Sequence, residues 1–479
     1  MHPIDLAVFI IYFLIIIGIG VYFMLRNKDS EDYYLGGRNM GYKHVGLSVV
    51  ATDVGGGFSI GLGGLGFVMG ISGSWMLFTG LIGAWMAAVF LIPKVKGLSQ
   101  TEKFYTMPEV FGYFFNPTAA LIAGFISAIG YIGFTSSQML AGAVLASATF
   151  DELNLSAALY IMGAIIIIYT VMGGIKAVIY TDTFQWILLL TGLIFIGLPI
   201  AYFEIGGMAA IRESVAPEML SLTNISWQQI VNWGVTIIPI WFVGMTLYQR
   251  IYATRSVEEA KKAWYLAGLF EWPVMAFLGV FLGLFGRVAV EQGMFAYLGV
   301  ETFADIHQEQ GLPMLLRTVL PIGLMGLMMS AYFSAIMSTA DSCLVAASGN
   351  VTTDIIGKIF GIESSSKSLI RLSMVVTLIL GVVALILAAS METVLDIMLY
   401  SYAFMVSGLL VPIVGALYWK KSSSAGAISA MISGGSITLI LTLTGIDLPF
   451  GLDPNIYGIT ASFLTFVIVS LYLPDKAKV

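Results

Sequence analysis

Ala51-Thr52-Asp53-Val54-Gly55-Gly56-Gly57-Phe58 lies inside an apolar stretch covering 45–69. A stretch of that length reads as a membrane-spanning helix, yet its middle holds three consecutive glycines beside an acid. Each glycine in a helix interior costs about 1 kcal/mol against alanine, so three together predict a break. A break frees backbone amides and carbonyls that lipid cannot satisfy, and these must face protein or a polar cavity. Freed carbonyls can bind a cation, and the amides around Gly56 can hold substrate charge. Close helix packing alone is the other use of such glycines. Asp53 is costly at this depth and is a functional candidate by default, as an ion or substrate contact or as a partner for the freed amides.

The rest of the chain supports a membrane reading. Of 479 residues, 58% are hydrophobic and 10% charged, where a soluble domain carries about 25% charged residues. Apolar stretches recur at 4–25, 45–69, 73–93, 117–147, 156–173, 178–202, 232–252, 263–286, 314–348, 369–390, 394–418, 424–445 and 457–473. They predict an all-α integral membrane protein of about thirteen transmembrane helices in the lipid bilayer. The first stretch has no basic region before it and no small-residue cleavage site after it, so it reads as a helix and not a signal peptide. With the N-terminus outside, all 22 Lys and Arg except Arg212, Arg287 and Arg317 fall on the cytoplasmic side. Outer loops hold acids such as Glu301, Asp305 and Glu309. This is the positive-inside pattern, with the C-terminus cytoplasmic. The expected location is the plasma membrane, most simply a bacterial inner membrane. The single cysteine, Cys343, forms no intrachain disulfide, and no zinc spacing or phosphate loop is present. Neither nucleic acid nor an obligatory protein partner is implied, no organic cofactor is expected, and without a nucleophile–base pairing an enzyme is not expected.

Other helices carry groups that do not suit lipid. The seventh contains Pro239-Ile240-Trp241-Phe242-Val243-Gly244, and its proline removes a helix hydrogen bond, which makes a second candidate break. It comes five helices after the first. Broken helices at corresponding positions of two halves point to a transporter site. Helices two to six and seven to eleven then form a five-plus-five inverted repeat. The expected divisions are 1–43 for the extra N-terminal helix and its cytoplasmic loop, 44–202 for the first repeat, 203–418 for an outer loop and the second repeat, and 419–479 for two C-terminal helices. In the ninth helix Ser338, Asp341 and Ser342 share one face at i, i+3 and i+4. Hydroxyls with a carboxylate make a hard-oxygen set suited to hard cations; back-bonding to the helix is the alternative for the serines. Asp182 lies near the cytoplasmic start of the sixth helix, where it also reads as a cap.

Four segments together resemble the sodium:solute symporter family: Ala51 to Phe58, Gly173 to Gln185, Gln249-Arg250, and Ala335-x-x-Ser338-Thr339. Their order and spacing match over nearly the whole chain. The resemblance implies the leucine-transporter-type fold and sodium, Na+, as coupling ion. It implies a main sodium site formed by the carbonyls of Ala51, Val54 and Ala335 and the hydroxyls of Ser338 and Thr339. It also implies a second site in some members, here Asp182 with Ser338, Asp341 and Ser342, although Asp341 replaces the serine of some two-sodium members. The Val-Gly-Gly-Gly break and Ala-Asp-Ser run are similar to choline-type members. Asp53 is more similar to proline-type members.

The expected function is a sodium-driven symporter of a small organic solute working by alternating access. Asp53 and Glu271 lie mid-membrane with no Lys or Arg placed beside them, which favours an amine-bearing solute such as proline or a choline-like cation. Phe58, Trp75, Phe134, Trp241 and Tyr402 are candidates to line its site by stacking, or to serve as ordinary packing, and Gln138 is a candidate polar contact. The rivals are an ion channel, which needs a continuous polar pore, and a transporter-like sensor, which usually carries a signalling tail.

Overall fold

The computed structural model describes residues 2–24, 35–150, 152–172, 175–361 and 367–475; the side chains of Val54 and Phe58 lie outside the described set. Long helices follow one another along the chain, and no strand occurs among the described residues. They are α1 (Pro3–Met24), α2 (Tyr42–Met69), and α3, which runs from Trp75–Met86 through a wide turn into Ile92–Glu102. Next come α4 (Pro117–Thr149), α5 (Leu155–Met172) and α6 (Ile175–Gly192, continuing to Leu198–Glu204). α7 has two halves, Trp227–Val243 and Met245–Ala253, and α8 runs from Val257–Leu269 into Ala276–Glu291. The series closes with α9 (Leu324–Gly349), α10 (Lys367–Ala388), α11 (Val394–Tyr418), α12 (Ser424–Thr444) and α13 (Pro454–Tyr472). Helix starts carry the expected chemistry. Asn116 accepts the amide of Ala119 ahead of Pro117, and Ser226, Ser256 and Ser423 accept those of Gln229, Glu259 and Gly426.

By length and hydropathy, eight described stretches can cross a membrane, or nine if bent α7 is one span, so this measure does not return the expected thirteen. The described parts of α1 and α5 count as shorter apolar helices, Pro3–Ile16 and Leu155–Val171, and the second half of α2 runs on with α3 as one stretch, Ser59–Glu102; α9, buried along nearly its whole length, is the remaining case. A helix wrapped by protein does not need the greasy composition that lipid contact demands. The lipid-facing surface lies instead on peripheral helices, where Val375, Leu378, Val382 and Ile386 of α10 and Ile440 and Leu443 of α12 are exposed.

Three helices are interrupted. In α2 the break falls at Gly55, with φ 37° and ψ −160°. In α7 the halves meet at Gly244 with a 43° bend, so the interruption lies beyond Pro239, which stays within the first half. The freed groups there find protein partners: Thr246 donates its amide to Tyr131 Oη at 3.0 Å, and Tyr248 donates to the Phe242 carbonyl at 2.9 Å. α8 has a further interruption, with Trp272 extended (φ −139°, ψ 124°) ahead of Pro273. The residue before a proline is pushed out of the helical region.

Packing follows the two halves. α2 lies along α8 while α7 lies along α3; α4 lies along α11 while α9 lies along α6; α4 and α9 cross at the centre. Exchanging helices two to six for seven to eleven turns each pairing into its counterpart, as a repeated architecture requires. Ends expected to share a side also meet. Asp5 at the start of α1 accepts the amides of Gly323 and Gly326 at the start of α9, both at 2.7 Å. Asn232 at the start of α7 donates to Gly451 and accepts from Asp453 ahead of α13. Glu309, in the segment before α9, accepts the amides of Val394 and Leu395 at the start of α11 at 3.0 and 3.2 Å.

Candidate functional site

The α2 break is pressed against α9. A Cβ on Gly55 would stand 2.4 Å from Thr339 Oγ1, and one on Gly56 would stand 2.1 Å from Ile336 Cγ1. Glycine is needed here twice over, for the positive φ and for the close approach. The two uses considered for the run, breaking and packing, are thus met together. Thr339 donates its hydroxyl to the Ala51 carbonyl at 2.9 Å and lies 3.2 Å from the Ala335 carbonyl. Three of the expected sodium donors therefore share one point, all hard oxygens. Val54 belongs to the turn entering the break. Ser338, the fifth, is turned toward Asp182 and donates to its Oδ1.

A second polar cluster lies one turn further along α9. Asp182 Oδ2 accepts from Ser48 at 2.5 Å and faces Arg250 Nη2 at 3.5 Å, with both charged side chains fully buried. Arg250 also donates to Ser48, Thr52, Ser342 and the Thr246 carbonyl. This corrects the expectation that no Arg or Lys reaches the polar centre. Arg250 starts near the C-terminal end of α7, but helical side chains lean toward the N-terminus, so its guanidinium returns to Thr52, the neighbour of Asp53. The expected second sodium set is also divided. Asp182 holds Ser338, Ser342 is taken by Arg250, and Asp341 accepts from Thr170 at 2.6 Å.

The expected solute residues separate into two groups. Gln138 Oε1 accepts the Gly56 amide at 3.0 Å, so α4 touches the break directly. Phe134 and Tyr402 are buried and meet edge to face with ring centroids 5.1 Å apart. Trp241 is buried against Trp264, with its ring pressed to Gly83 of α3. Asp53 is 5% exposed and interacts with Glu271 of α8, which is fully buried. Trp75 does not join them. Its indole donates to the Leu222 carbonyl at 2.8 Å in the segment before α7, and a ring chain through Phe78 connects it to Trp272. An amphipathic indole at a helix start is serving as an end anchor. Residues not foreseen as part of the site are Ser48, Thr52, Thr170, Arg250 and Gln249, whose buried amide has no hydrogen-bond partner. Glu271 was visible only as an interior charge.

Interrupted helices crossing over a buried polar centre define a membrane carrier of the leucine-transporter type. A solved sodium-coupled sialic acid symporter, in a substrate-bound outward-open state, has the same fold: TM-score 0.80, 22% identity, 99% of each chain covered. The chain matches the sodium:solute symporter family over residues 33–434 and belongs to that family. Relatives include the osmoregulated proline transporter OpuE of Bacillus subtilis, 27% identical over 98% of this chain and 94% of that one. The high-affinity proline transporter PutP of the same organism is 28% identical over 95% of each. The protein is a multi-pass membrane symporter that couples Na+ to a small organic solute, and it is not an enzyme.

Proposed function

We propose that sodium binds where α2 and α9 cross, among the carbonyls of Ala51, Val54 and Ala335 and the hydroxyls of Thr339 and Ser338, and drives import of an amine-bearing solute held beside Asp53. The observation that carries this reading is the Thr339 hydroxyl placed between the Ala51 and Ala335 carbonyls at the α2 break. A cation there ties the two helices together and fixes the broken segment that faces the solute. Sodium arriving from outside would favour a state open outward, solute would allow the bundle to rock inward, and sodium would then leave. One charge moving through 100 mV supplies about 2.3 kcal/mol, and a tenfold sodium gradient about 1.4 kcal/mol. Together these support several-hundredfold accumulation of a neutral solute.

Solute contacts in this reading are Asp53, the segment at Gly56 and Phe58, Phe134, Gln138, Trp241 and Tyr402. The proline carriers among the relatives fit an amine-bearing solute. Thirteen spans with the N-terminus outside, divided at 43, 202 and 418, fit the charge alternation and the pairing of helix ends. A second sodium at Asp182, Ser338, Asp341 and Ser342 requires Arg250 to withdraw, so one coupling sodium is the simpler reading. The test is uptake of labelled amines and amino acids into proteoliposomes with and without a sodium gradient. Sodium-stimulated uptake is expected, and indifference to sodium across the panel would remove the reading.

A further inference from the structure

Glu271 has no assigned task, yet it is a carboxyl fully enclosed beside a second carboxyl. Outside this pair, neither Glu271 oxygen nor Asp53 Oδ2 has a hydrogen-bond partner, and the two carboxyls face each other. Among the described residues, the group acting on each is the other, with no Lys or Arg contributing. Arg250, which reaches Thr52 beside Asp53, is paired with Asp182. Unpaired carboxyls in a dry interior call for a positive partner. Two such carboxyls can share one proton, and the negative charge that remains still favours a cationic guest.

We infer that Asp53 and Glu271 together recognise an organic monocation, a solute with an ammonium group and no carboxylate. This rests on the symporter reading and narrows its solute. A zwitterion would bring a third carboxylate into a place that already has two. The break amide that could receive it, at Gly56, is already taken by Gln138. The unpartnered indole N–H groups of Trp241 and Trp272 are neutral donors and balance no charge. An ammonium, by contrast, can donate to both carboxyls at once, with Phe134 and Tyr402 supplying ring faces. α3 leaves room for the Glu271 carboxyl only because residue 80 is glycine: a Cβ there would fall 1.8 Å from its Oε2.

The test uses matched pairs that differ by a carboxylate: pyrrolidine against proline, and choline against glycine betaine. Binding to purified full-length protein in saturating sodium is read by calorimetry, and sodium-driven uptake is read in proteoliposomes. In at least one pair the cation is expected to bind at least tenfold more tightly than its zwitterion. Glu271→Gln should abolish that preference. Gly80→Ala, which displaces the carboxyl without removing it, should weaken it severalfold. Monodisperse elution and a retained sodium-induced thermal shift control for folding. The inference is overturned if neither cation binds, if the zwitterion binds as well or better in both pairs, or if Glu271→Gln leaves the ratio unchanged in a folded protein. Sodium-driven uptake of a zwitterion without cation preference would defeat this inference alone. Absence of sodium-driven uptake for all four probes would defeat the amine-solute reading beneath it.

Discussion

The Thr339 hydroxyl donates to the Ala51 carbonyl at 2.9 Å, joining α9 to the turn that enters the α2 break. That carbonyl and the hydroxyl oxygen are the same atoms a sodium ion would use. Thr339→Ala is therefore expected to raise the sodium concentration for half-maximal transport at least tenfold, consistent with about 1.5–3 kcal/mol for a contact to a charged group. Ser338→Ala should raise it less, because Ser338 is turned toward Asp182. Sodium titration of uptake measures both, and an unchanged Thr339→Ala curve would remove Thr339 from the site.

Gly55→Ala tests the break. The alanine would adopt φ 37° and place its Cβ 2.4 Å from Thr339 Oγ1. Gly293→Ala is the control, since its φ is 69° but nothing lies within 4 Å. The control should cost about 1 kcal/mol, the left-handed strain alone. Gly55→Ala should cost more and abolish sodium-dependent uptake. Equal thermal shifts for the two would argue against contact at the crossing.

Arg250 and Asp182 form a fully buried pair. Removing one partner leaves a buried charge, typically about 3–5 kcal/mol. Arg250→Met and Asp182→Asn should each lower thermal stability strongly, and the double variant should recover much of the loss. Additive losses would contradict a coupled pair. If wild-type uptake shows a sodium Hill coefficient above one, Asp182→Ala should bring it to one when the second ion binds there.

Glu309 gives a pH dependence. Burial, opposed by the amides of Val394 and Leu395, pushes its carboxyl up to about 7. A raised folded pKa means the folded state holds the proton more tightly, so its contribution is complete at low pH and fades as pH rises toward about 7. Wild-type melting temperature should fall between pH 5 and 8, and Glu309→Gln should show a flatter slope. Matching slopes would remove Glu309 as the source.

The α2 break could be read because three glycines in a span leave few other outcomes, and Gly55 adopts the positive φ they permit. The α8 interruption is equally legible in Glu271-Trp272-Pro273, where the proline forces Trp272 out of the helical region. The meeting of Ala51 with Thr339 depends on how distant helices pack, and family resemblance supplied it where spacing could not. The backbone position of Arg250 near the C-terminal end of α7 does not disclose the reach of its long side chain. Trp75 is an aromatic near a polar helix, but sequence does not disclose that its indole N–H is bound to the Leu222 carbonyl. The pairing of Asp53 with Glu271 needed the contact of α2 with α8, which two interior acids do not disclose.

The carboxylate of Asp5 pins the N-terminal end of α9 through two amides, at Gly323 and Gly326. Thr339 lies thirteen residues beyond Gly326, about 20 Å along the helix axis at 1.5 Å per residue. Were α9 to swing about that end, it would act as a lever with its fulcrum at α1. A swing of about 5° over that length would move Thr339 by about 1.7 Å, enough to open an oxygen cage around a sodium ion while the pinned end stays still. The peripheral first helix would set the pivot about which the ion site opens.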